Sequence, residues 1–412
     1  MTELIEASKK GDAAKVKQLL DQGAPLDAQD DRGNTALHRA GMNGHKEAVQ
    51  LLLEKGASLD VQDTWDGNTA LQLASYNGHK EVVQLLLDKG ASLDAQDDRG
   101  NTALHWASEY GHKEVVQLLL DKGASLDVQN EDGRTALHRA SEKGHKEVVR
   151  LLLDKGAPLD VQDKKGWTAL HLASWNGRKE VVQLLLDKGA SLDVQNENGW
   201  TALHWASMNG HEEVVQLLLD KGAPLDAQDK DGKTALHRAI EHGHKEVAQL
   251  LLEKGASLGA QGHNGFTALH LASVYGGKEM VQLLLDKGAP LDVQDHQGRT
   301  ALHYASEKGH KEMVQLLVDK GASLDVLDHY GRTALRVAIL YGSRPSVLQL
   351  LLKPTLLTPD GAPQLDAAFR KDHSDALLEV LTECDPDEFA RIVAIQQIRA
   401  NNASASGTGA LQ

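Results

Sequence analysis

The tripeptide Thr-Ala-Leu begins at Thr35, Thr69, Thr102, Thr135, Thr168, Thr201, Thr234, Thr267, Thr300 and Thr333. The first interval is 34 residues and every later one is 33. A fixed period in this range dictates a stacked array of small units rather than a set of separate globular domains. Aligning Gly11 with Gly44 places Thr2 beneath Thr35, so the N-terminus carries an eleventh, degenerate copy.

The copy at 97–129 shows what one unit is made of. "DDRG" has turn chemistry: Asp97 opens it and Gly100 permits a positive φ. "TALHWASEY" follows as a short helix that Thr102 is placed to cap. Gly111 breaks that helix, and "HKEVVQLLLDK" forms a second one that stops at Gly123. "ASLDVQ" then leads extended into the next turn. Leu118, Leu119 and Leu120 in a row suit a helix covered on several sides, and small Ala103 and Ala107 allow close packing. One such unit cannot bury its own apolar face, so it must stack on neighbours.

These residues resemble the ankyrin repeat family: the D-x-x-G-x-T turn, the T-A-L-H tetrad, the Gly-His between helices and V-V-x-L-L-L-x-x-G-A. The family usually has Pro where Ala stands in the tetrad. The resemblance covers roughly residues 1–353 and recurs in register. It implies an all-α architecture, the ankyrin-repeat α-solenoid, with a helix-turn-helix and a hairpin-like loop in each 33-residue repeat. It also implies a concave groove lined by hairpin tips and first helices. Where the family often has Asn before the hairpin, this chain has Asp, as at Asp127, which is expected to keep the same hydrogen-bonding role.

The expected organisation is an N-terminal capping repeat at 1–28 and ten repeats at 29–353. A degenerate C-terminal capping repeat follows at 354–384, then a terminal helix at 385–400 and a disordered tail at 401–412. End repeats need polar outer faces, and Lys9, Lys10 and Asp12 supply one. In the terminal helix Asp385 suits the N-cap, with Pro386 at the first helical position and Glu388 at the third.

Charge narrows the function. The 412 residues carry 44 basic and 59 acidic side chains, a formal net charge of −15. Sequence-independent binding of nucleic acid or of an anionic membrane needs clustered Lys and Arg, so neither is an expected partner. The lone Cys384 cannot form an intramolecular disulfide, which fits a reducing compartment. "MTELIEASKK" has no secretory apolar core, and no stretch reaches the 18 or so apolar residues of a membrane span. The expectation is a cytoplasmic or nuclear protein, monomeric when unbound.

Histidine is the main catalytic temptation. His38, His105, His138, His171, His204, His237, His270 and His303 occupy the tetrad, where the family uses the residue structurally. His45, His79, His112, His145, His211, His244 and His310 follow the inter-helix glycine. A residue repeated in every unit serves every unit, whereas an active site needs one copy. No nucleophile motif, phosphate-cradling loop or His-Glu-x-x-His occurs. The chain therefore reads as non-catalytic, with no cofactor and no metal. His263, His296 and His329 share one turn position in consecutive repeats. They read as a tolerant polar tip or a pH-sensitive edge. Layers roughly 8–10 Å apart forbid one zinc ion from reaching all three.

The aromatic residues are distributed unevenly. Trp106, Trp205 and Tyr304 share one first-helix position; Tyr76 and Trp175 share the next exposed one; Tyr110, Tyr275 and Tyr341 share the one after. Trp167, Trp200 and Phe266 precede the motif Thr, and Trp65 and Tyr330 sit in hairpins. Only Phe369 and Phe389 fall outside this pattern. The Leu, Val and Ala core needs no aromatic, and helical periodicity turns these positions away from it. Tyr, Trp and Arg dominate interface energetics. The column through Trp106 cycles through Arg39, Arg139 and Arg238, then Leu73, Leu172 and Leu271, then the aromatics, as duplication of a three-repeat block or a partner with a matching repeat would produce.

The expected function is a protein–protein interaction module or scaffold, with these aromatic and arginine positions on the concave face taking a protein partner. Packing against neighbouring repeats is the competing account of the same residues. The rival functions are a structural spacer and an adaptor that recruits through the terminal helix 385–400. Trp167, Trp175, Trp200 and Trp205 lie in two adjacent copies and are the expected anchors, and Gly259, Gly262 and Gly277 mark an expected soft seam in the eighth copy.

Overall fold

The computed structural model describes residues 2–275, 277–343 and 346–351. These hold 21 delimited helices and, among the described residues, no strand. The chain divides after Lys230 into two compact units. The expected C-terminal repeat, terminal helix and tail at 354–412 lie outside the described residues, as does the 344–345 part of the tenth copy.

Within each unit the architecture is an α-solenoid. Inside a unit, first helices pack on the second helix of their own repeat and on the first helices of neighbouring repeats. Copy three is representative, with first helix Ala103–Glu109 and second helix Lys113–Asp121. Leu104, Ala107, Val115, Val116 and Leu119 are fully buried. Leu118 and Leu120 are only half covered, so the three-leucine run has one core member.

Two glycines show why the loops must be as they are. Gly100 adopts φ +74°, and a Cβ there would lie 2.9 Å from the backbone nitrogen of Glu131. Gly111 adopts φ +76°, and a Cβ would lie 2.5 Å from Nδ1 of His145. Left-handed backbone and a neighbour at contact distance both require glycine.

The hairpin tips need no strands to lock together. Oδ1 of Asp97 accepts the N–H groups of Arg99 (2.9 Å) and Asn101 (2.8 Å). Tip joins tip directly: the Asp98 N–H donates to the Asp66 carbonyl, the Glu131 N–H to Arg99 and the Lys164 N–H to Asp132, each at 2.8 Å. Beneath them runs a ladder that the repeat pattern does not announce. The Gln62 side chain donates to the carbonyl of Gln96 (2.8 Å), Gln129 to Gln162 (3.2 Å) and Gln162 to Gln195 (3.2 Å).

The Asp that precedes each hairpin also bonds between repeats, but not in every copy. Asp27, Asp94 and Asp160 accept the N–H of Ser58, Ser125 and Ser191 at 3.0–3.2 Å. Asp127 faces the repeat that carries Pro158 at the matching position. Proline has no N–H to give, so the role expected of Asp127 is absent there.

Candidate partner-binding face

The first helices and hairpin tips of unit one carry two aromatic clusters. In copies five and six all four tryptophans meet. Trp205 lies 4.3 Å from Trp167 and 4.2 Å from Trp200, centroid to centroid. Trp175 stands edge-on to Trp167 at 5.6 Å and to Trp205 at 6.4 Å. Trp175 is 38 % exposed, Trp200 is 9 % exposed, and Trp167 and Trp205 are half-buried. The expectation that Trp200 is an open anchor like Trp175 is therefore corrected. Trp200 is a buried member of the stack, its ring set against Trp205 of the same repeat.

The second cluster lies in copies two and three. Tyr76 packs 4.3 Å from Tyr110 and edge-on to Trp106 at 5.4 Å. Tyr76 and Tyr110 are exposed and Trp106 is half-buried. Burial, together with a hydrogen bond to Tyr76, pushes the Tyr110 hydroxyl up to about 12. Beside this cluster Trp65 stands 68 % exposed on its hairpin tip, with the Arg32 guanidinium 4.9 Å over its ring. Arg32, Met42, Trp65, Leu73, Tyr76 and Trp106 line a groove of about 240 Å³.

Copy four separates the two clusters with charge. Arg134 binds Glu142 at 3.0 Å and Asp163 at 3.1 Å. Arg139 and Lys143 share Glu109, each at 3.6 Å.

In unit two the same positions diverge. Tyr275, Tyr330 and Tyr341 are exposed, and Arg332 lies 4.5 Å over the Tyr330 ring. Phe266 is half-buried and edge-on to Tyr304 at 5.0 Å. Tyr304 and Arg238, expected on the outer face, are buried. Tyr304 donates to Asp295 at 2.6 Å, and Arg238 pairs with Asp231 and Glu241 at 3.1 Å each. His263, His296 and His329 are exposed on successive tips. Among the described residues no group of three His, Cys, Asp or Glu side chains could hold a metal ion.

A family profile of three tandem ankyrin repeats matches residues 4–97, 59–130, 122–196, 188–262, 224–295 and 269–360. The chain belongs to the ankyrin repeat family. Ankyrin repeats are in general protein–protein interaction modules, and ankyrin repeat proteins are typically non-catalytic. A comparison with curated proteins gives no match. No helix among the described residues is long and apolar enough to cross a membrane.

The histidines serve the ankyrin framework. The Thr102 N–H donates to Nδ1 of His105 at 3.1 Å, and Nε2 of His105 bonds the Arg134 carbonyl of the next repeat at 2.9 Å. His38, His138, His171, His270 and His303 repeat this bridge at 3.0–3.1 Å. Copy two carries Gln72 instead. It accepts from the Thr69 N–H at 2.7 Å and donates to the Asn101 carbonyl at 2.8 Å. The inter-helix histidines bond backwards, His112 to the Tyr76 carbonyl at 2.8 Å and His145 to Glu109 at 2.8 Å.

The column that cycles through Arg, Leu and aromatic residues has a physical rule that sequence reading missed. Its donors bond the hairpin Asp nine residues earlier: Arg39 Nε to Asp30 (3.1 Å), Trp106 Nε1 to Asp97 (3.0 Å) and Tyr304 to Asp295 (2.6 Å). Copies four and six have Asn130 and Asn196 in place of that Asp. There Arg139 Nε, Trp205 Nε1 and the Asn196 amide nitrogen are buried without a hydrogen-bond partner. An amide whose oxygen already accepts two turn N–H groups has only donors left for the column. The Asp/Asn alternation in the hairpin is the signal that pointed to this.

Proposed function

We propose that this ankyrin repeat chain is a non-catalytic interaction module that captures a protein partner on its concave face, the side presented by the first helices and hairpin tips. One observation carries the reading: the tryptophans and tyrosines outside the aliphatic core gather into contiguous clusters there, with Trp175, Tyr76, Tyr110 and Trp65 open to solvent. Contiguous exposed apolar surface is costly in water unless a partner covers it, and aromatic side chains lose little rotamer entropy when covered. The stacked tips and the histidine bridges hold the face in place before binding, which lowers the ordering cost of association. The same framework suits a monomer working in the cytoplasm or nucleus, with neither nucleic acid nor cofactor as partner.

The test compares affinity capture from cell extract, read by mass spectrometry, for the wild type, Trp175→Ala, Tyr76→Ala and a control on the opposite helix, Glu114→Ala. The expected result is a set of proteins retained by the wild type and the control and lost by both aromatic variants. Retention of the same set by all four chains refutes the reading.

A further inference from the structure

The two clusters of unit one stand in the same register. Tyr76 and Trp175 occupy one helix position in copies two and five, three repeats apart. Layers packed roughly 8–10 Å apart separate the clusters by roughly 24–30 Å. Between them lies the charged layer of copy four, where two cations share one carboxylate: Arg139 and Lys143 on Glu109, at 3.6 Å each. Arg139 is the least satisfied guanidinium of its column. Its Nε is buried without a partner, and its side chain's one hydrogen bond among the described residues is 3.5 Å to Asn101. Arg39, by comparison, makes two bonds to Asp30. Lys143 is 45 % exposed.

An amphipathic helix is a poor match for this surface. Its apolar stripe returns about every 5 Å along the axis, so several turns would lie over the charged layer. An extended chain advances about 3.3 Å per residue and crosses the gap in about seven to nine residues, with polar side chains free to meet the middle.

We infer that this face takes one extended polypeptide segment with two bulky apolar side chains about seven to nine residues apart. One seats on Tyr76, Trp106 and Tyr110, the other on Trp167, Trp175 and Trp205, and a carboxylate between them meets Arg139 and Lys143. The inference rests on the reading of this face as the partner-binding one.

The probes are fluorescein-labelled synthetic peptides, each with two leucine pairs joined by a Gly/Ser linker of about 3, 8 or 13 residues, set to bracket the calculated span. A central Glu, Gln or Lys is placed in each linker, and binding to the full chain is read by fluorescence polarisation. The Glu peptide with the middle linker should bind about tenfold tighter than the shorter or longer ones, because only it engages both anchors at once. Exchanging Glu for Lys should weaken it about fivefold, the scale of a partly exposed ion pair. In an Arg139→Gln, Lys143→Gln variant that preference should vanish. Tyr76→Ala and Trp175→Ala should each abolish the dependence on linker length.

Equal affinity across linkers, a preference for Lys, tighter binding of an Ala-rich helical linker, or no binding by any peptide overturns the inference. The two readings fail differently. Binding without a length preference, but sensitive to Trp175→Ala, leaves the face as the binding site and removes only the bipartite mode. Binding indifferent to both aromatic variants removes the face itself.

Discussion

The histidine bridges make a quantitative prediction about acid stability. Burial holds His105 and His171 well below the usual imidazole range, at about 4, and the backbone bonds only partly oppose this. Geometry supplies the reason. Nδ1 of His105 is occupied as an acceptor of the Thr102 N–H, so a second proton there would break the cap. An unfolded histidine titrates near 6.5, so between pH 6.5 and 4 the unfolded chain binds more protons than the folded one. The contribution is therefore complete above pH 6.5 and is lost as the pH falls through that window. At pH 5 the loss is on the order of 2 kcal/mol for each such histidine. The perturbation is the double variant His105→Gln, His171→Gln. Copy two already shows that Gln makes both bonds, through Gln72. At pH 7 the variant should match the wild type to within about 1 kcal/mol, since both hydrogen bonds are kept. At pH 5 it should escape a loss of about 4 kcal/mol that the wild type suffers. Urea unfolding followed by circular dichroism at both pH values, with amide exchange at Leu104–Ser108, measures this. The hairpin Asp30, held at about 2 against its burial by hydrogen bonds and the charge of Arg39, titrates below the window. If wild type and variant lose equal stability between pH 7 and 5, buried neutral histidine is not what the fold depends on.

Further outcomes follow from particular contacts. Trp200→Ala should cost about 3–5 kcal/mol of stability, as expected for a buried indole, whereas Trp175→Ala should leave the unfolding midpoint nearly unchanged; thermal melts of the two separate them. Asn196→Asp should give Trp205 Nε1 the acceptor that Asp97 gives Trp106, adding about 1 kcal/mol and shifting the indole proton resonance; an unmoved resonance refutes the column rule. Gly262→Asp should slow amide exchange in the eighth hairpin, where Asn264 alone now accepts the Phe266 N–H, towards the rate of copy four; unchanged exchange argues against a soft seam there. Ser108, Ser141 and Ser174 bury hydroxyls without partners, and Ile240 fills the same position in copy seven. Ser141→Ala should therefore stabilise the chain by about 1 kcal/mol, read from the urea midpoint.

The repeat period, the capping threonines, the turn glycines and the tetrad histidines were legible in the sequence because each acts within its own repeat or on the next. Such contacts are fixed by spacing along the chain: Thr102 to His105 is three residues, and His105 to the Arg134 carbonyl is one repeat less four. The period therefore determined the fold, and with it which aromatics of the described repeats fall on or beside first helices and which on hairpin tips. Tertiary structure decided which of those aromatics stayed open. Trp200 precedes the capping Thr201 and is covered by Trp205, whereas Trp175 ends its first helix at the open edge of the stack. That difference depends on how the side chain before the cap folds against a ring on its own first helix, which the periodicity of the helix does not encode. The same holds for Asn130 and Asn196: an Asp-to-Asn exchange is conservative for the turn, and becomes a missing acceptor only once the column donor nine residues later is folded against it.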